Sequence, residues 1–383
     1  MDLDFSEEQQ LLRETVRRVC AEHAPLEDVR RMEDDPTGYP ADFWKQLAET
    51  GVTGLLIPEA HGGSGLGWLD AAIAYEELGR ALAPSPHFPS AVIGAGVLLA
   101  GGSAEQQAAW LPRLASGEAI VTPAWLEPDG GFGPRGVQLA ARPEGGDFVL
   151  EGVKRHVPFA SAATRFLVLA RTGPADEAVD LFLVDPQAPG VALRQQKSLA
   201  SDTQYEVTFV GVRVPATARI GAAGSGWGTW DRALLDGVVL LAAYAMGGAE
   251  RALEITVQYA KDRKQFDKPL GAFQAISHYL ADAATAVDGG KTLVYEAAWA
   301  RDRGRPTARL APMAKLFACR TWRDVTAMCQ QVWGGVGFTI EYDIQLYFRR
   351  AKQLQITWWD ERTLEERVAA DVLDGDAPFR SGP

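Results

Sequence analysis

Cysteine, histidine, positive charge and long apolar runs are all in short supply, and each shortage removes a class of protein. The 383 residues hold three cysteines, Cys20, Cys319 and Cys329. An odd count without close pairs gives neither a disulfide framework nor a metal-ligand spacing, and reads as reduced, buried thiols in a cytosolic protein. The five histidines, His23, His61, His87, His156 and His278, are scattered, so no metal is expected. Thirty-eight Lys and Arg stand against 50 Asp and Glu, a formal charge of −12. Phosphate contacts need clustered basic residues, so a nucleic-acid partner is excluded, although a local basic pocket for a small anion is not. The longest apolar run, Ala91 to Gly101, is too short to span a bilayer, and the acidic start Met-Asp-Leu-Asp is no signal peptide. The expectation is a soluble, cytoplasmic protein with no membrane partner.

Two enzyme classes drop out as well. No G-x-S-x-G nucleophile elbow occurs. The glycine-rich stretches Gly62–Gly67 and Gly221–Gly228 fit neither G-x-G-x-x-G nor a strand–helix junction, and read as loops.

Hydrophobic periodicity divides the rest. Ser6-Glu-Glu-Gln9 reads as a capping box, and Leu11, Leu12, Val16 and Val19 follow at helical spacing. Further helical segments fall near 42–51, 69–82 and 104–116. From Val121 to Pro215 the chain turns to short runs: Val137–Leu139, Phe148–Leu150, Phe166–Leu169, Leu181–Val184 and Val207–Phe209. Turns such as Glu144-Gly-Gly-Asp147 and Asp185–Gly190 separate them, and together they predict an antiparallel β-domain. Helical periodicity then returns through Leu234–Leu241, Ile276–Val287 and Pro312–Cys329, and a loose Asp/Gly/Pro tail follows Leu373. The fold class is α+β, with expected domains at 1–120 (helical), 121–228 (β) and 229–383 (helical).

Two blocks carry the chemistry. Tyr259-Ala-Lys-Asp-Arg-Lys-Gln-Phe-Asp-Lys-Pro-Leu-Gly-Ala-Phe-Gln-Ala275 offers an Arg fork for a pyrophosphate and amides for a flavin or its ribityl chain. Gln331-Val-Trp-Gly-Gly-Val-Gly-Phe338 offers glycines that permit close backbone approach. With Pro58–Gly65, Glu76-Glu-Leu-Gly79, Gly152-Val-Lys154, Val212–Pro215 and Arg349-Arg350, these make the whole chain resemble an acyl-CoA dehydrogenase. The resemblance implies an N-terminal helical domain, a middle β-domain and a C-terminal four-helix bundle. It also implies FAD between the last two, completed by a neighbouring subunit. Arg263 and Gln265 would hold the pyrophosphate region, with Phe266 and Gln274 in the same wall. Gln331, Gly334 and Gly335 would meet the adenosine end. Val157 and Pro158 would lie beside the isoalloxazine, where the family places Trp-Ile-Thr.

The chain departs from that pattern at several points. The family's Thr-Glu-Pro strand survives only as Thr122-Pro-Ala-Trp-Leu-Glu-Pro128, His156 and Pro158 replace the flavin-side Trp and Thr, and Asp267 stands where Gly is usual. The usual position of the catalytic glutamate is Trp358, and the family's alternative base position falls near Gly237. Asp360 and Asp236 are the nearby acids that would replace them; Asp360 also reads as an N-cap before Arg362–Ala370, and Asp236 as a solvated or salt-bridged helix residue. Trp358, Trp359 and Gly237 would line the acyl pocket, the indoles alternatively being bundle core.

The resemblance implies oxidation of an acyl-CoA to its 2,3-enoyl form, with electrons passed to an electron-transfer flavoprotein or similar acceptor. A dimeric or tetrameric homo-oligomer is expected, or a hetero-oligomer with a second acyl-CoA dehydrogenase-like subunit. Two other readings stay open: a non-catalytic partner subunit in steroid or other bulky acyl-CoA breakdown, and a flavin oxidase or monooxygenase on the same fold.

Overall fold

The computed structural model describes residues 4–176 and 178–374. Ser6 opens the first helix as its spacing predicts. Its Oγ accepts from Gln9 N at 3.2 Å while Gln9 Oε1 accepts from Ser6 N at 3.2 Å, closing the capping box. That helix, α1 (Glu7–His23), turns Val16, Val19 and Cys20 inward. The others are α2 (Leu26–Arg31), α3 (Ala41–Glu49), α4 (Trp68–Arg80), α5 (Ala95–Gly101), α6 (Ala104–Ala115), α7 (Gly226–Asp262), α8 (Gln274–Asp302), α9 (Leu310–Trp333), α10 (Ile344–Ile356) and α11 (Glu361–Leu373). A π-helical stretch, Phe88–Gly94, runs into α5. The strands are β1 (Val121–Ala124), β2 (Ala140–Glu144), β3 (Asp147–Pro158), β4 (Arg165–Arg171), β5 (Val179–Val184), β6 (Val191–Gln196), β7 (Gln204–Val214) and β8 (Arg219–Ile220), then the two-residue β9 (Lys264–Gln265) and β10 (Lys268–Pro269). The tail expected after Leu373 lies, past Asp374, outside the described residues.

The chain forms two compact units. One takes the described residues up to Leu26, then Gly67–Ala83 and everything from Val238 onward. Within it α7, α8, α9 and α10 make the four-helix bundle. Trp322 of α9, fully buried, lies where a Cβ on Gly248 of α7 would come within 2.5 Å. Helix α4 has a glycine at its N-cap and no side-chain cap of its own. Asp302 at the end of α8 supplies one, accepting from Trp68 N at 2.6 Å and Leu69 N at 3.0 Å. Arg17 ties α1 to α4 through two parallel bonds to Glu77, both 2.8 Å.

The other unit takes Glu27–Leu66 and Pro84–Gly237, with the sheet at its centre in the order β6-β7-β3-β2-β4-β5-β8 and β1 added beside β4. Phe166, Phe182, Phe209, Leu150 and Val207 fill its core. The sheet is not wholly antiparallel as expected: β1 and β2 both run parallel to β4. Alternation along a strand reports which face is buried and not which way a neighbour runs. The long excursions from β1 and β2 to β4 supply the crossover a parallel pair needs.

Two further expectations are corrected. Val137–Leu139 is not a strand. The Glu127 carboxylate accepts from Gln138 N at 2.9 Å and Leu139 N at 3.0 Å, taking the place of a partner strand. And Ala91–Gly101 is not the stretch closest to a membrane span: α7, 37 residues long, is long and apolar enough by composition. However, 83% of its most apolar window is buried inside the protein, where a core helix places such a surface.

Candidate active site

The two signature blocks, about seventy residues apart in sequence, meet in the bundle unit. Tyr259 near the end of α7 stacks on Trp333 at the end of α9, with ring centroids 4.0 Å apart and planes 12° from parallel. Trp333 Nε1 also donates to Thr256 Oγ1 at 3.0 Å. Whatever follows Tyr259 therefore stands beside whatever follows Trp333.

After Tyr259 come Arg263 and a tight hairpin of β9 and β10. Its two turn residues, Phe266 and Asp267, have φ of 53° and 62°. A turn with two left-handed residues matches the twist of its strands and favours glycine, which is why Gly is usual at the second place. Asp tolerates that region better than most side chains and holds it here. Phe266 stands at the tip, 86% exposed. Arg263 is exposed and makes no ion pair among the described residues, while Gln265 and Gln274, the latter opening α8, are exposed as well.

After Trp333 the backbone turns sharply. Gly334 has φ 66° and ψ −147°, a conformation essentially confined to glycine. A Cβ added at Gly334 or Gly335 would meet nothing within 4 Å, so the main chain there is open to an incoming group. Gln331 is exposed beside it. An unpaired guanidinium, exposed amides, an exposed ring and a bare glycine turn form a donor set suited to a dinucleotide pyrophosphate.

In the sheet unit, β3 ends at Val157, buried, and Pro158, half-buried. Register slips between Lys154 and Val157. Pro158 O accepts from the buried Thr122 Oγ1 at 2.6 Å, and His156 and Phe159 on either side have φ of 54° and 50°. His156 N donates to Gln196 Oε1 at 2.9 Å, and its Nδ1 lies 3.0 Å from Gln204 Oε1.

The acid positions look different. Asp236 on α7 is buried. At Gly237 a Cβ would come within 2.8 Å of Ile93 Cδ1 and 3.4 Å of Phe88, so the π-helical stretch occupies the space a side chain would need. Trp358 is half-buried, and Trp359 is fully buried with the Arg367 guanidinium 3.6 Å from its ring centroid. Trp359 thus packs as the bundle-core alternative expects. Asp360 caps α11: its Oδ1 accepts from Thr363 N at 2.9 Å and from Thr363 Oγ1 at 2.6 Å.

Two lysines escaped sequence reasoning. Lys154, fully buried in β3, donates to Glu127 at 2.6 Å; burial pulls its pKa down to about 8 against the pull of that carboxylate. Lys315, also fully buried, donates to three backbone carbonyls. Burial lowers its pKa too, opposed by Cys319 and Asp360. A charged residue on the apolar face of a periodic helix was the signal available for Lys315.

Residues 6–118, 123–212 and 224–359 match, in turn, the N-terminal, middle and C-terminal domains of acyl-CoA dehydrogenases. The probable acyl-CoA dehydrogenase YngJ of Bacillus subtilis (strain 168) is 33% identical over 369 residues, covering 93% of this chain and 95% of its own. The chain belongs to the acyl-CoA dehydrogenase family. Butyryl-CoA dehydrogenase from Megasphaera elsdenii has the same fold at a TM-score of 0.91 and 27% identity, over 97% of this chain and 100% of that one. A chain of the ChsE4–ChsE5 complex from Mycobacterium tuberculosis matches at 0.88 and 28%, over 99% and 100%. Members of this family are flavin-dependent oxidoreductases of acyl-CoA thioesters, and FAD is the cofactor. The exposed donors at the ends of α7 and α9 fit that group.

Proposed function

We propose that this acyl-CoA dehydrogenase oxidises a bound acyl-CoA to the 2,3-enoyl-CoA, with Asp236 as the base. The observation that carries the reading is the Tyr259–Trp333 stack, which brings Arg263 and the hairpin beside the Gly334–Gly335 turn. Arg263, Gln265, Phe266 and Gln274 would grip the pyrophosphate side of a neighbouring subunit's FAD across the subunit boundary, and Gln331 with the two glycines the adenosine side. Val157 and Pro158 would lie beside the ring system of the FAD held by their own subunit. FAD, when bound, supplies the acceptor for the hydride leaving Cβ. The chain's own task is to take the Cα proton onto a carboxylate within hydrogen-bond reach. Asp236 stands next to Gly237, the family's alternative base position, while Asp360, the other candidate, also holds the start of α11 through one oxygen.

Val336, Phe338, Ile340 and Tyr342 are exposed just past the glycine turn, an apolar surface suited to a second subunit. An electron-transfer flavoprotein or a similar acceptor would take the electrons.

A second reading, a non-catalytic subunit of a heteromeric dehydrogenase for steroid or other bulky acyl groups, is favoured by one observation: Gly237 is closed off by Ile93 and Phe88, and Trp358 fills the other base position. Anaerobic titration of the FAD-loaded chain with acyl-CoAs from butyryl to steroid side-chain thioesters separates the two. Bleaching of the flavin by the chain alone supports Asp236-dependent turnover. Bleaching only after co-purification with a second dehydrogenase-like chain supports the partner reading. Failure of the chain alone to take up FAD would sink the first reading, and failure even together with the second chain would sink both. Peroxide formation under air would instead mark an oxidase.

A further inference from the structure

The turn that joins α10 to α11 has a feature that the base question leaves unexplained. It carries Trp358 and Trp359 consecutively in the left-handed region, φ 54° and 73°. Bulky residues rarely adopt that conformation even singly, and such strain persists only where the surroundings over-determine it. Helix α10 also ends with little help from its own sequence, Thr357 Oγ1 donating to Gln353 O at 3.1 Å. Its last turn has no basic residue, and Thr357 at its C-cap is extended. The terminal carbonyls of a helix need partners from elsewhere.

Lys315, from the second turn of α9, supplies them. Its Nζ donates to Leu354 O at 3.2 Å, Thr357 O at 3.0 Å and Trp359 O at 2.9 Å. An ammonium has three donors, and all three are taken. No carboxylate lies within ion-pair distance of it among the described residues; carbonyl dipoles that span the whole turn meet its charge directly, with Asp360 contributing from farther away. On the far side Asp360 caps α11, and Glu361 is held by Arg320, Arg323 and Gln355. Water or a neutral cap would satisfy one or two carbonyls; a buried cation reaching three of them sets the relative placement of Leu354, Thr357 and Trp359.

We propose that Lys315 is a positioning residue that fixes the Leu354–Asp360 turn, and with it Trp358 and Asp360, the residues occupying the place of the absent glutamate. The link to acyl-CoA rests on the function proposed above; the link to the turn does not. The test uses the full chain as wild type, Lys315→Met and Lys315→Gln, the last retaining two N–H donors. Amide hydrogen exchange over residues 356–363 is expected to quicken by about tenfold or more in Lys315→Met, with Lys315→Gln between, because bonds to a charged donor are lost. Exchange in α7 and α8 should stay near wild type. In the FAD-loaded chains, acyl-CoA should perturb the flavin spectrum with an affinity about tenfold or more weaker in Lys315→Met. In Lys315→Ala, propylammonium, which can refill the vacated channel, should restore both readings.

Unchanged exchange at 356–363, or an equal rise throughout the bundle, would overturn the proposal. So would failure of both the Met and Gln variants to fold, which would make Lys315 a general core residue. If wild type takes up no FAD, the functional reading falls while the exchange result still judges Lys315.

Discussion

The ends of α7 and α9 and the two positions where the family carries its base are built on opposite principles. At the first, side chains have little to do within the fold. Arg263 is unpaired among the described residues, Phe266 is 86% exposed at the tip of a strained turn, and the glycine turn has open space where side chains would be. At the second, every group is occupied by structure. Gly237 is filled by its neighbours, Trp359 is core, and Asp360 is a helix cap. Exposed, strained and unpartnered groups survive in a fold when a ligand or partner completes them. On the proposed reading, FAD binding and proton abstraction are separable in this chain, and the groups assigned to the first are the less committed to holding the fold.

Changing Asp236 strikes hardest at that contrast. Asp236→Asn keeps the shape and removes the carboxylate, and flavin reduction by acyl-CoA should fall by about 10²–10⁴, the usual cost of a lost general base. Stopped-flow reduction of the FAD-loaded variant reads it directly. An unaltered rate would move proton abstraction to another residue or another subunit. Arg263→Ala comes next. Losing charge-assisted bonds to a phosphate should weaken FAD binding by about 10–100-fold without lowering the melting temperature, since the guanidinium supports nothing else described. Flavin retained through gel filtration, set against thermal melting, checks both halves. Gly334→Ala should weaken FAD by about tenfold through strain at a backbone only glycine adopts readily. If cofactor titration shows wild-type affinity for that variant, the turn is not a binding element.

Much of the fold was legible because its cues are local. The capping box at Ser6, the helical spacing from Leu11 to Val19 and the apolar runs of β3, β4, β5 and β7 each report on neighbouring residues. What sequence missed was set at a distance. Val137–Leu139 looks like a strand, but Glu127, ten residues earlier, claims its amides. The direction of β1 and β2 against β4 depends on a sheet order that alternation does not encode. At the candidate site, the spacing that singled out Arg263 and the Gly334–Gly335 turn is distinctive, and the Tyr259–Trp333 stack brings the ends of their helices together. For Trp359 the sequence left pocket and bundle core both open, because an indole after a helix gives no sign of which side it packs on; the structure buries it fully under Arg367, eight residues later. Lys315 was marked only by a charge on an apolar helix face; its partners are carbonyls, which every residue has, so the sequence does not say what it holds.

Asp360 gives the smallest expected effect and the cleanest separation of roles. Its Oδ1 takes the Thr363 amide and hydroxyl, so Asp360→Ala frees one of the orphan N–H groups at the start of α11. Loss of such a cap costs about 1 kcal/mol, which chemical denaturation resolves. Asp360→Asn, which can still accept from Thr363 N, should recover most of that loss. If Asp360 only caps, the Ala variant loses stability and the Asn variant recovers it, while flavin reduction follows wild type in both. If it also receives the α-proton, Asn rescues stability and not reduction. Such a split, with stability restored and turnover lost, would return the base to the bundle unit and end the preference for Asp236.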